Sequence, residues 1–414
     1  MSRLLPRLRN DLEVMPSPVR DRPGLLIRDP YRFSDATLIV PPLLARCLGC
    51  FDGQQTELEL HEQLVRITGQ LVVAELAAQM IAALGEAGFL DDAVFAGMRE
   101  KRLRAFEETP HRSAAHAGGG YPLQREPLRQ ALDRSIATGS ATASESASPP
   151  RRPLIGIAAP HVSPDGGVAS YGAAYGTLSP DLKDRTFVIL GTSHYGEPER
   201  FGLTRKPFAT PFGRTRTDVA LVDGLIAKAR AAVKVEDYCH AIEHSIEFQV
   251  VYLQHLFGPD VRIVPILCGA FATRAHGRVR PEQSPEVARF IDVLAELAER
   301  ESERLFWVMG VDMAHVGVRY GDDFAARAGE GALRAVAAQD RQRIDTITRG
   351  DADGFWERVC SGADGEDQLK WCGSAPLYTF LRARPGAAGE LLHYHQWNID
   401  ESSVVSFAGL SFHA

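Results

Sequence analysis

This chain is short of several things at once, and each shortage excludes a class of function. Its 414 residues include six cysteines, a formal net charge of -7 and no long uninterrupted apolar run. The longest purely apolar stretches, such as Leu305 to Val311, fall far below the roughly 20 residues that a membrane-spanning helix needs. No span is expected. The negative balance leaves no broad basic surface to neutralise phosphates, so nucleic-acid binding is not expected either. Arg3, Arg7 and Arg9 run into Asp11 and Glu13 instead of the apolar core of a secretory signal, which points to the cytoplasm. Cys47, Cys50, Cys239, Cys268, Cys360 and Cys372 are too sparse for a disulfide scaffold. Most are expected as small buried apolar groups. Neither a G-x-x-x-x-G-K-[ST] run nor a strand-linked G-x-G-x-x-G occurs, and a nucleotide-binding loop is unsupported.

What is present is an ordinary folded composition, 45% hydrophobic and 24% charged, with length for one small and one large domain. The boundary is expected near residue 110. In the first part, Leu25 and Ile27 alternate with polar neighbours and Thr37 to Val40 is β-rich, the pattern of short strands. Thr56 three residues before Glu59 forms a capping box that opens a helix. A second helix is expected from Val73 to Glu86, closed by Gly88-Phe89-Leu90. A charged helix over Met98 to Glu108 connects the two parts. Cys47-Leu48-Gly49-Cys50 has redox or zinc spacing, but no second pair completes a zinc site and Leu43, Leu44, Cys47 and Leu48 share a helical face. Packing is the reading adopted there.

From residue 111 to 414 the expectation is α/β: a central, mostly parallel sheet covered by helices on both faces. Apolar strands are expected at Leu154–Ala159, Thr186–Leu190, Arg262–Cys268 and Leu305–Val311, with a last one near Ser402–Leu410. Helices are expected at 122–136, 218–229, 246–256, 285–299 and 324–338. The Ser/Ala/Pro-rich stretch 138–152 reads as a flexible internal loop.

Polar residues sit where such strands end. Pro160-His161 follows the first strand, Ser193-His194 the second, and Asp312-Met313-Ala314-His315 the one beginning at Leu305. A lone histidine is more often a packed or surface residue. Three at strand ends on one side of a sheet share a crevice. Metal-binding imidazoles also need acceptors behind them, which Asp312, Glu243 and Glu247 are expected to supply.

The runs Ala-Pro-His161, Leu-Gly-x-Ser-His194, Glu243-His244-Ser245-Ile246-Glu247, Pro265-Ile-Leu, Asp312-x-x-His315-x-Gly317 and Cys372-Gly373-x-x-Pro376 occur in the order of the Memo family, which residues 112 to 414 resemble. Bacterial and archaeal members are known as the B component of the AmmeMemoRadiSam system, encoded with an AMMECR-type protein and a radical SAM enzyme. The resemblance implies the fold of class III extradiol ring-cleaving dioxygenases. It also implies His161, His194 and Cys372 as metal ligands, with Asp312 and His315 as an acid/base pair in which Asp312 orients His315. Glu243, His244, Ser245 and Glu247 are assigned to the second shell or the pocket wall, and His393 and His395 are left as ordinary. Two imidazoles and a thiolate favour Fe(II) or copper, with zinc formally allowed. Residues 1 to 110 resemble, in pattern only, the winged-helix-like PqqD peptide chaperones, so a peptide or partner is expected there.

This chain departs from the family in reading Val162-Ser163-Pro164 after His161 and Ser374-Ala375 after Gly373, which changes the substrate-facing surface. Three functions remain in competition. One is a metal-dependent oxidoreductase of dioxygenase ancestry, acting with a radical SAM partner or on a peptide presented by the amino-terminal module. The others are a non-catalytic adaptor for a peptide or phosphopeptide and a zinc-dependent hydrolase, against which the thiolate argues.

Overall fold

The strand at Thr186–Thr192 sends Phe187 and Ile189 to one side and Val188 and Leu190 to the other, and all four are fully buried. A strand apolar on both faces must lie inside a covered sheet. The computed structural model describes residues 3–19, 21–143, 152–271, 280–362 and 365–414. The chain divides into two units, Met1–Thr109 and Pro110–Ala414.

In the first unit, β1 (Glu13–Pro16), β2 (Leu25–Arg28) and β3 (Thr37–Val40) form an antiparallel sheet in that order. Four helices follow: α1 (Pro42–Ala45), α2 (Glu57–Thr68), α3 (Ala74–Glu86) and α4 (Ala93–Glu108). The Thr56–Glu59 capping box starts α2, and Gly69, at φ 70°, ends it in the left-handed region that glycine adopts without strain. Ile27, Phe51, Leu60, Leu64, Leu84 and Phe89 make the core, and Cys47 and Cys50 are buried within it. Burial pushes the Cys47 thiol up to about 11, with Cys50 adding to the effect, the state of a packed thiol and not of a reactive one.

The second unit opens with α5 (Arg125–Ala143), β4 (Leu154–Ala159) and α6 (Val168–Tyr175). Then come β5 (Thr186–Thr192), β6 (Phe201–Leu203), the small hairpin β7 (Ala209–Thr210) and β8 (Gly213–Arg214), and β9 (Arg216–Thr217). After α7 (Val219–Ala229), β10 (Val233–Val235), α8 (Cys239–Ile242) and α9 (Glu247–Phe257) the chain enters β11 (Arg262–Cys268). It continues through α10 (Pro285–Arg300), β12 (Leu305–Gly310), β13 (His315–Gly317), α11 (Ala332–Thr348), α12 (Ala352–Val359), α13 (Ser374–Ala383), β14 (Ala388–Asn398) and β15 (Ser403–His413).

The heart of the sheet is four parallel strands in the order β11-β5-β12-β4. Antiparallel β15 extends it beyond β4 and carries both β13 and β14, while β6 adds antiparallel to β11 on the other side. The expected mixed α/β sheet with parallel centre is therefore present. Side chains alternate strictly across it. Leu305, Trp307 and Met309 of β12 join α7, α10 and α13 on one face, whereas Phe306 and Val308 join α5, α6 and α9 on the other.

Two expectations are corrected. The helix placed at 324–338 starts only at Ala332, because Gly331 at φ 49° breaks the backbone just before it. Residues 138–143, read as loop, are the last turns of α5; positions 144–151 of that stretch lie outside the described residues. Small residues there serve a close helix crossing. A Cβ on Gly139 would stand 2.0 Å from the Ala173 nitrogen, and one on Gly172 would stand 1.9 Å from the Ser135 carbonyl oxygen. Gly172→Ala should therefore force the helices apart and cost about 1–3 kcal/mol, read as a lowered midpoint in thermal or urea unfolding; an unchanged midpoint would refute the crossing.

Candidate metal centre

Neighbouring strands β5, β12 and β4 all run parallel, so their carboxyl ends arrive together at one edge. His194 follows β5, Asp312 and His315 follow β12, and His161 follows β4. Cys372 comes from the turn before α13. Thr192 Oγ1, at the end of β5, donates to the Cys372 carbonyl at 3.0 Å, and the Gly373 N–H donates to the Asp312 carbonyl at 3.1 Å. Residues far apart in sequence are thereby pinned to one another by these hydrogen bonds.

The donor atoms of His161, His194 and Cys372 all lie within 4.8 Å of one another. Cys372 Sγ is 3.2 Å from His161 Nε2. The other nitrogen of each ring is already committed: His161 Nδ1 sits 2.9 Å from the Gly310 carbonyl oxygen, and His194 Nδ1 lies 3.0 Å from a Glu243 oxygen. A carbonyl or carboxylate can only accept, so each Nδ1 carries the proton and each Nε2 lone pair is left for the thiol side. That arrangement of imidazole, acceptor and open nitrogen is what metal-ligating histidines require. Together these donors fit a borderline or soft transition metal and fit magnesium or calcium poorly.

Glu243 is the anchor behind the rings. Its carboxylate is buried and accepts from the backbone N–H groups of His194, His244 and Ser245 at 3.0, 2.8 and 3.1 Å. It also meets the ring nitrogens of His194 and His244, the latter at 3.2 Å. His194, Glu243 and His244 are themselves close enough to hold an ion. With five N–H groups directed at it, however, Glu243 is saturated as an acceptor and acts as an orienting group.

His244 contributes more than a place in the wall. Its ring centroid is 5.1 Å from that of His161 and 5.0 Å from that of His194, nearly parallel to the latter. A fourth ring, His116, packs edge-on against His244 at 5.6 Å. Sequence reasoning assigned no chemistry to His116. The residue enters the family resemblance only through the His116-Ala117-Gly118 segment at its start.

Other expected roles are redistributed. Glu247 does not stand behind a histidine: it forms a fully buried ion pair with Arg112 and accepts from Tyr121 and from the backbone of Ala115 and His116. Ser245 Oγ donates to the Thr192 carbonyl at 2.8 Å. A Cβ on Gly310 would lie 2.2 Å from the Ser245 carbonyl oxygen, so glycine at the end of β12 lets this segment close over the sheet edge. Asp312 turns to His161, accepting from its backbone N–H at 2.9 Å and approaching its Nε2 at 3.5 Å. His315 is instead oriented by the Met313 and Lys370 carbonyls, 2.9 and 3.1 Å from its Nδ1. His393 bonds Ser170 Oγ at 2.7 Å on β14.

Electrostatics follow from this crowding. Burial works against ionisation of the Cys372 thiol, yet His161 and His315, with hydrogen bonds from His161 and His194, hold its pKa well below the usual value. Burial likewise favours neutral His161, but Asp312 and then Cys372 outweigh it and raise the pKa to about 9. His194 is raised by Glu243 against the same burial effect. His244, desolvated and beside other imidazoles, is held neutral despite Glu243. Without a metal, these shifts favour a thiolate beside protonated His161 and His194. A cavity of about 820 Å³ opens at this point, bordered by His194, Tyr320, Lys370, Trp371 and Cys372. Its size suits a small substrate.

The family description "Memo-like protein" matches residues 112–411. The chain belongs to the Memo family. It is similar to a MEMO1 family protein of Aquifex aeolicus, 26% identical over 297 residues, covering 72% of this chain and 73% of that protein. A Methanosarcina mazei MEMO1 family protein is 28% identical over 308 residues, 72% and 98% of the two chains. One from Thermus thermophilus is 27% identical over 326 residues, 78% and 86%. Among solved structures, an uncharacterized Escherichia coli K12 protein aligns with a TM-score of 0.39 at 12% identity, covering 63% of this chain and 99% of that one. The Memo match begins at the start of the second unit and leaves the first outside it.

Two outcomes are expected. Glu247→Ala strands a buried guanidinium and should lower stability by about 3–5 kcal/mol in chemical denaturation; a change below 1 kcal/mol, on the order of an exposed pair, would show the pair to be dispensable. In metal-free protein at pH 6, iodoacetamide should modify Cys372 ahead of the buried Cys47, Cys239 and Cys268, whose pKa values are raised, and His161→Ala should abolish that preference. The linked stability has two edges. The depressed thiol contributes stability that is lost as pH falls through its folded value, whereas the raised His161 contributes stability lost as pH rises through about 9.

Proposed function

We propose that this Memo-family protein is a metal-dependent redox protein whose iron or copper is held by His161, His194 and Cys372. The observation that supports it most is the convergence of these three donor groups to within 4.8 Å, each ring turned by an acceptor on its far nitrogen. A thiolate in place of a carboxylate favours a redox-active ion over a hydrolytic zinc. When bound, the metal would supply one-electron chemistry toward dioxygen or an oxidisable substrate.

The remaining steps belong to the protein. His315, its Nδ1 held by two carbonyls, presents Nε2 toward Cys372 and can hold or release a proton there. Asp312 steadies His161 and shares its charge. His244, kept neutral, offers a ring nitrogen without competing for the positive charge of the site. Tyr320, edge-on to His315 at 4.9 Å, and Trp371 restrict water at the cavity wall. We further propose that the protein works beside radical SAM and AMMECR-type proteins, as the family resemblance implies. The first unit would take a peptide or partner by strand addition, since among the described residues β1 and β3 each pair with β2 alone.

Elemental analysis of anaerobically purified protein tests the centre. Iron or copper near one equivalent is expected in the wild type and at least tenfold less in His161→Ala, His194→Ala and Cys372→Ala. Undiminished metal in all three variants would sink the site. Stoichiometric zinc without oxygen consumption would return the hydrolase to first place.

A further inference from the structure

Behind the site lies a second cluster, centred on two residues that are not among the proposed ligands. Asp340 of α11 is completely buried, and its carboxylate accepts from Trp371 Nε1 at 2.8 Å, Tyr394 Oη at 2.8 Å and Ser406 Oγ at 2.6 Å. One turn along the same helix, Arg343 grips Asp367 through two bonds of 3.0 and 2.7 Å. Asp367 in turn accepts from the backbone N–H groups of Leu369 and Trp371 at 2.9 and 3.0 Å. The Arg343 guanidinium also lies 5.2 Å from the Trp371 ring centroid.

Two branches leave this cluster. Through Trp371 and Asp367 it fixes the segment that ends in Cys372. Through Ser406 it fixes the segment that ends in His315: Ser406 Oγ accepts from the Ala314 N–H at 2.8 Å, and the Ser406 backbone bonds Met313 and Ala314 at 2.8 and 2.9 Å. The branches meet where the His315 N–H donates to the Leu369 carbonyl at 3.0 Å and its ring meets the Lys370 carbonyl. We infer that Asp340 and Arg343 are positioning residues that jointly set where the Cys372 thiol and the His315 ring stand relative to each other. A buried carboxylate with three donors and a buried guanidinium with a bidentate partner are costly to place and tolerate little displacement. Such rigidity is what a thiolate held 3.2 Å from an imidazole demands.

The test separates this inference from the metal reading on which half of it rests. Full-length Asp340→Asn and Arg343→Lys are compared with wild type and with Tyr394→Phe, which removes one donor to Asp340 and leaves the Trp371 and Ser406 bonds to it in place. In metal-free protein at pH 6, alkylation of Cys372 by iodoacetamide, located by peptide mapping, should slow at least fivefold in the first two variants as the thiol drifts from the His161 ring, 3.2 Å away in the wild type. It should stay within twofold in Tyr394→Phe. Cobalt(II) titration, followed by the thiolate-to-metal absorption band, should show affinity reduced tenfold or more and a displaced band. A purely structural role would lower the melting temperature and leave the alkylation rate and band unmoved. Rates within twofold of wild type, or faster, in both variants overturn the proposal. If Asp340→Asn does not fold, Trp371→Phe and Ser406→Ala cut one branch each and carry the same expectation. Should wild type take up no cobalt, the metal reading falls and the alkylation comparison alone decides the positioning role.

Discussion

A thiolate can persist beneath the edge of a sheet only if positive charge is supplied within a few ångströms, and everything around Cys372 answers that need. His161, His194 and His315 surround the sulfur, and none of them is free to turn. Gly310 and Glu243 hold the first two by their far nitrogens, while the Met313 and Lys370 carbonyls hold the third. The same orientation serves two states. With protons on the rings it stabilises the anion; a metal held there would instead be met by the His161 and His194 nitrogens, and its binding would release their protons.

The parallel sheet makes this possible at little cost in chain. Strands β5, β12 and β4 bring three separated segments to one edge without any loop having to be long or self-supporting. Small residues then let covering elements approach. Gly310 admits the Glu243–Ser245 segment, and the Gly139–Gly172 crossing seats α5 against α6 on the face behind β4. Geometry at the centre is thus inherited from packing well away from it.

Much of this was legible in the residues, for stated physical reasons. Strands β4, β5, β11 and β12 announce themselves as apolar runs because both their faces are buried, and the histidines just beyond them follow from the topology. Composition misled where it carries two meanings: the Thr-Gly-Ser-Ala stretch after Ile136 suits a solvated loop and a tight helix contact equally well. Spacing misled at Glu247. The pattern Glu243-His244-Ser245-x-Glu247 puts two carboxylates near a histidine, but which one reaches an imidazole depends on where α9 begins. Helix α9 starts at Glu247 itself, so that side chain turns toward Arg112. Asp340 gave no signal at all, since a buried acid on a helix reads like an exposed one until its three donors are seen.

Buried charge also divides the second unit's polar groups by purpose. The Arg112–Glu247 pair is sealed on all sides and joins the chain near residue 112 to the start of α9, a structural tie. Glu243, four residues earlier, is equally buried yet spends its acceptors on His194 and His244, whose side chains remain about a quarter exposed. Two carboxylates on one short segment therefore face opposite ways: one closes the fold, and the other orients His194 at the cavity edge with His244 stacked beside it. Replacing Glu247 would leave the Arg112 guanidinium without its carboxylate, whereas the loss of Glu243 would free the His194 ring that meets Cys372. That asymmetry separates the histidine-rich end of the motif, which borders the candidate centre, from its distal glutamate, which does not.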